Sequence, residues 1–225
     1  MKVNVNIRRR AAADEDVRKL NSIIIARLSK IDGIFRGDDV QLQAVFDPGK
    51  GESAGTYLSP FLVEGIRGGV SYASRTPGAV KDRGTSDDFI YLELDLESLN
   101  YNWFVTVVFP VIVEAFGAYR STVVTDLDQR DDDFNKIVEL CRLEKKDLKS
   151  RDGVFRIQSV NYFDDILCKR AFGIGSKEVA ARLEEHVYVV REIGDGVFFI
   201  TSDKPVAGPE TLIIDKKIKR LLAGR

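Results

Sequence analysis

Gly51-Glu52-Ser53-Ala54-Gly55 has the G-x-S-x-G spacing of a nucleophile elbow, a strained strand-to-helix turn that exposes a serine to a histidine base and an oxyanion hole. His186, the only histidine, follows Ser53 in the chain order that such hydrolases use. The surroundings favour a plain glycine-rich loop. Asp47-Pro48-Gly49-Lys50 separates the motif from the preceding strand pattern, and Pro60 closes off a long helix directly after it. His186 sits between Glu184-Glu185 and an apolar run, which suits a histidine that complements a helix end or holds structure. Catalysis by Ser53 and His186 is therefore the alternative reading.

The remaining chemical candidates are weaker. Asp126-Leu127-Asp128-Gln129-Arg130-Asp131-Asp132 superficially resembles a calcium loop, but Arg130 stands at a ligand position and the central glycine and terminal glutamate are missing. Glu93 and Asp95 share one face of a strand, as paired catalytic carboxylates do, without a lysine or histidine at a diagnostic spacing. Asp47-Pro48-Gly49-Lys50-Gly51 lacks the order of a phosphate-binding loop. Cys141 and Cys168 form no C-x-x-C unit and read as reduced structural thiols. The sequence thus predicts neither a metal nor a cofactor.

Charge is nearly balanced, with 34 basic and 35 acidic residues, which argues against a generic nucleic-acid or membrane-surface binder. Its distribution is uneven. From Asp82 to Asp133 there are 12 acids and 3 bases, whereas the first ten residues carry a net charge of +4. This acidic region suggests a basic protein partner, with Asp87, Asp88, Glu93, Asp95, Asp131, Asp132 and Asp133 as the candidate contacts. Met1 to Ile7 alternates like a strand and lacks the apolar core of a signal peptide, so a cytoplasmic location is expected.

The elements that would position these residues follow from periodicity. Val3, Val5 and Ile7 alternate as a strand, and Val17, Leu20, Ile24 and Leu28 recur at helical spacing. Val40 to Phe46 predicts a strand, 47–86 a glycine-rich loop region with one strand near Phe61 to Ile66, and Phe89 to Leu96 a strand with Tyr91, Glu93 and Asp95 on its polar face. Ser98 should cap a helix kinked at Pro110 and ending near Gly117, followed by a strand from Ser121 to Thr125. Beyond it, the pattern predicts a helix entered through Asp131-Asp132-Asp133, a strand from Val154 to Val160, and helices around Phe163 to Ala171 and Val179 to Leu183. Gly194-Asp195-Gly196 between two apolar runs predicts a hairpin centred on Asp195-Gly196, with positive φ at Gly196, and Pro209 opens a last helix. These elements amount to a single α+β domain over 1–225, a mixed or mainly antiparallel sheet covered by amphipathic helices.

Between about Leu99 and Lys204, three short pieces carry a family likeness: Phe109-Pro110 with Ala115-Phe116-Gly117-Ala118-Tyr119-Arg120, then Val160-Asn161-Tyr162-Phe163, then Gly194-Asp195-Gly196-Val197-Phe198-Phe199-Ile200. In these the chain resembles bacterial immunity proteins of the polymorphic-toxin and type VI secretion kind. The resemblance implies an α+β cytoplasmic protein that neutralises a cognate toxin by binding it, without catalysis. The alternatives are a serine hydrolase using Ser53 and a small-ligand-binding regulatory module with its pocket under the glycine-rich loops.

Overall fold

Alternation at the N-terminus produces β1 (Lys2–Arg10), which buries Val3, Val5 and Ile7 on one face. The structure is a computed structural model that describes residues 1–36, 54–76 and 78–224. The fold class is α+β, and every strand pairing described below is antiparallel. The chain divides into two compact units, Met1–Ala118 and Tyr119–Arg225.

In the first unit, α1 (Val17–Leu28) starts at Asp16, whose carboxylate accepts from the Arg18 and Lys19 amides. The strands β2 (Ala54–Tyr57), β3 (Ile66–Tyr72) and β4 (Asp87–Asp95) join β1 in the order β2-β3-β4-β1. The strand expected over Val40 to Phe46 lies outside the described residues. The one expected near Phe61 to Ile66 is instead a single bridge from Leu62 to Phe35, with full strands on either side. Glycine explains why the pattern misled: at Gly68, φ is +143°, and a Cβ there would stand 2.0 Å from the Tyr91 carbonyl oxygen. The residues that let β3 lie against β4 therefore have no side chain to signal a strand.

Asn100, not Ser98, caps the next helix, accepting from the Trp103 amide at 3.0 Å. The helix runs as α2 (Tyr101–Trp103), a wide π turn over Phe104–Val108, and α3 (Phe109–Phe116). Pro110 supplies no amide hydrogen and crowds the carbonyl one turn earlier, so a looser turn just ahead of it keeps the helix continuous. Leu28 of α1 and Ile112 of α3 meet Ile66, Ile90 and Leu92 of the sheet around one small apolar cleft. Helices thus cover one face of this sheet.

The second unit holds β5 (Arg120–Val124), α4 (Leu127–Glu144), β6 (Val160–Asp164), α5 (Asp165–Phe172), α6 (Ser176–Leu183), β7 (Val189–Ile193), β8 (Gly196–Ile200) and α7 (Pro209–Leu222), with strands in the order β5-β6-β8-β7. Its core gathers Tyr119, Phe163, Leu167, Cys168, Val179, Leu183, Val197, Phe199 and Ile218, with Phe163 and Phe199 edge to face at 5.8 Å. Burial pushes the Cys168 thiol up to about 12, so it stays protonated and inert.

Three boundaries differ from the sequence expectation. Helix α4 begins before Asp131, because Asp126 caps it by accepting from the Gln129 amide at 2.9 Å. The strand expected over Val154 to Val160 lies at Val160–Asp164, since side chains satisfy the preceding backbone: the Ile157 amide donates to Asp215 at 2.7 Å and the Gln158 amide to Asn161 at 2.9 Å. The hairpin is present, but Ile193 pairs with Gly196, so its two turn residues are Gly194 and Asp195. Only Gly194 has positive φ, +58°, the hand of a type II′ turn.

Lys145 closes α4 at φ +53°, the one non-glycine residue with positive φ among those described. Lys145→Gly is expected to stabilise the protein by about 1 kcal/mol, since glycine adopts this conformation without steric cost. A thermal melt should shift upward by about 2–4 °C. A melt that does not rise would place the helix end elsewhere.

Candidate functional site

The uncovered face of the first sheet follows from the register. One row across the strands reads Tyr57, Gly69, Tyr91, Asn6, and the next Gly55, Ser71, Phe89, Arg8. Tyr57, Phe89 and Tyr91 are exposed to 69%, 43% and 37%, unusual for large aromatic residues on one sheet face. Gly69 separates the two tyrosines, so their rings stand two strand spacings apart, roughly 10 Å, with backbone as the floor between them. Glycine is required there, because a Cβ would come within 2.6 Å of the Thr56 carbonyl oxygen. The result is a shallow slot, a strip of backbone flanked by two exposed tyrosines.

Polar groups surround the slot. Tyr91 donates its hydroxyl hydrogen to Asn4 Oδ1 at 3.0 Å, which fixes the ring. Arg67, Glu93 and Asn4 form the adjoining row, and Glu93 pairs with Lys2 at 3.1 Å. Glu93 and Asp95 keep 33% and 41% of their side-chain surface exposed. The rim therefore carries both signs of charge around an aromatic centre.

The other candidate acids of this unit lie at the start of β4. The Asp88 side chain is fully buried; it accepts from Arg9 at 2.8 Å, from both Arg75 nitrogens at 2.8 and 2.6 Å, and from the Ala73 amide at 2.9 Å. Glu15 binds the same two arginines. Burial lowers the Arg9 pKa from its ordinary value, a pull opposed by Asp88, and burial raises that of nearby Tyr72, whose hydroxyl donates to Asn21 at 2.8 Å. The Asp87 side chain is also buried and meets Arg8 at 3.3 Å. Asp87 and Asp88 thus anchor the strand that presents Glu93 and Asp95.

In the second unit, Asp131 and Asp132 are exposed on α4. Asp133 points inward, where Arg156 bridges it at 2.7 Å to Asp215 of α7 at 2.8 Å. The bond to Asp133 is the main reason the Arg156 pKa is raised. His186 is exposed just beyond α6. Ser53 lies outside the described residues, so the geometry of a Ser53–His186 pair does as well. Among the described residues, no group of acids, histidines and cysteines is arranged to hold a metal ion, and no helix is long and apolar enough to cross a membrane.

Period-two alternation alone puts Phe89 and Tyr91 beside Glu93 and Asp95. Tyr57 and Gly69 had no such signal, since their strand partners are separated from them by loops and glycines.

Comparison with known proteins finds no matching family model and no matching curated protein. Among solved structures, the Pseudomonas aeruginosa T6SS protein PA0821 is similar, with a TM-score of 0.53 at 9% sequence identity over 98% of this chain and 72% of that one. At that identity the likeness is one of fold.

Proposed function

We propose that this chain is a cytoplasmic immunity protein of the type VI secretion kind, which neutralises a cognate toxin by binding it on the open face of β1–β4, without catalysis. The observation that carries the proposal is the exposed aromatic group Tyr57, Phe89 and Tyr91 around the Gly69 floor. Aromatic anchors at the centre of a contact supply most of its energy, and rim charges such as Glu93 and Asp95 tune the rate of encounter. Likeness of fold to a T6SS protein supports the same reading.

The test is co-expression with the product of the adjacent gene. The wild-type chain should rescue growth and bind that product. Tyr57→Ser with Tyr91→Ser should weaken binding by about 2 kcal/mol or more, with circular dichroism confirming that the variant stays folded, since Tyr91→Ser also removes the hydroxyl that donates to Asn4. Glu93→Lys with Asp95→Lys should mainly slow association with a basic toxin, most clearly at low salt. A neighbour that is not toxic, or a tyrosine double variant that binds and protects as well as wild type, overturns the proposal.

A further inference from the structure

Helix α4 is packed less than its composition requires. Of its 18 residues only Asp133 is buried, and Phe134, Val138 and Leu143 are 50%, 52% and 64% exposed. The Lys149 ammonium lies 4.5 Å from the Phe134 ring centroid and still leaves half of that residue uncovered. Asp131, Phe134, Val138, Cys141 and Lys145 follow one another at alternating spacings of three and four, the seam of a helix that packs along another helix. Leu143, exposed near the end of the helix, lies outside this seam.

Charge says what lies along it. The first half of the helix is net acidic, with Asp128, Asp131 and Asp132 exposed and Arg130 paired to Asp131 at 2.7 Å, and the second half is net basic by a smaller margin, with Lys136, Arg142 and Lys145 exposed against Glu139 and Glu144. A partner helix would need the opposite polarity, basic against the first half and acidic against the second. The same helix turned end for end has that polarity. A twofold axis near Val138 brings the acidic half of each copy against the basic half of the other and buries Phe134 and Val138 between them, a closed, self-complementary contact. We infer that α4 is a homodimerisation helix, pairing antiparallel with α4 of a second copy of this chain. The contact does not depend on the proposed function. One helix pair makes a small interface, under about 1,200 Å², so the dimer forms reversibly with concentration.

Two charge variants of the whole chain test the arrangement by sedimentation velocity, with circular dichroism confirming that each is folded. The first, Asp128→Lys with Asp131→Lys, makes both halves of α4 basic; the second, Arg142→Glu with Lys145→Asp, makes both acidic. Wild type should sediment as a dimer increasingly with concentration, and each variant alone should dissociate about tenfold or more readily through like-charge repulsion. Mixing the two folded variants should restore association as a one-to-one heterodimer. Phe134→Ser, which leaves every charge in place, should also weaken the wild-type dimer. A wild-type chain that stays monomeric into the hundreds of micromolar overturns the inference and assigns the seam to a different protein. Variants that dimerise like wild type, or that fail to associate when mixed, overturn the antiparallel pairing.

Discussion

Asp88→Asn is expected to destabilise the protein by about 3–5 kcal/mol, the range found when one partner is removed from a buried ion pair. The Asp88 side chain is fully buried, and Arg75 beside it retains 4% of its side-chain surface. Each oxygen of the carboxylate accepts from arginine: Oδ1 from Arg75, and Oδ2 from both Arg9 and Arg75. Asparagine keeps the shape but turns one of those acceptors into a donor pointing at a guanidinium. Two arginines then share Glu15 alone, and Arg75, almost fully buried, has little water to replace the lost partner. Denaturant titration measures the loss. Combining Asp88→Leu with Arg75→Met should cost less than the two single changes added together, because the double variant leaves fewer buried charges uncompensated. A loss below about 1 kcal/mol for Asp88→Asn would mean that water solvates the cluster. Because Asp88 sits at the head of β4, the same variant should loosen the strand that carries Phe89, Tyr91, Glu93 and Asp95.

Gly196→Val is expected to cost about 3 kcal/mol or more, and the cause is contact, not φ. A Cβ at Gly196 would stand 2.5 Å from the Phe163 carbonyl oxygen and 2.6 Å from the tip of the Tyr162 ring. The carbonyl belongs to β6 in the middle of the sheet and cannot move without opening the β6–β8 ladder, which pairs Asp164 with Gly196 and Phe163 with Val197. Tyr162 is held as well, donating its hydroxyl hydrogen to the Ile193 carbonyl at 3.3 Å. Gly194→Ala, by contrast, meets nothing closer than 3.9 Å and pays only for its φ of +58°, about 1–2 kcal/mol. The order of the two melting temperatures is the check. If Gly194→Ala melts lower than Gly196→Val, the close approach of β6 to Gly196 is not what sets the cost.

That reversal illustrates how far the residues speak for themselves. Gly194-Asp195-Gly196 between apolar runs was enough to place a hairpin, because a tight turn is a local matter of φ and of two short strands. Which glycine takes the positive φ, and which makes room for a neighbour, depends on where β6 passes. The alternation of β4 likewise put Ile90, Leu92 and Leu94 inside and Tyr91, Glu93 and Asp95 outside, as the structure has them. The region after Ser53 was unreadable for the complementary reason. Gly68 and Gly69 are selected by close approach to Tyr91 and Thr56, partners 23 and 13 residues away along the chain, so the strand they belong to has no periodic side-chain signal.

The sequence by itself determined the α+β class, the element types with clear periods, and the polar face of β4, since each rests on the local repeat of a helix or strand. Only the tertiary structure decided the charges and the site. A run of aspartates reads as a solvated surface until its arginines are located, and Arg75 reaches Asp88 across 13 residues while Arg156 reaches Asp133 across 23. Those distant partners take Asp87, Asp88 and Asp133 inward and leave Glu93, Asp95, Asp131 and Asp132 facing water. Likewise, Tyr57 and Tyr91 become the walls of one slot only when β3 inserts Gly69 between their strands, an arrangement set by long-range backbone pairing that no local pattern encodes.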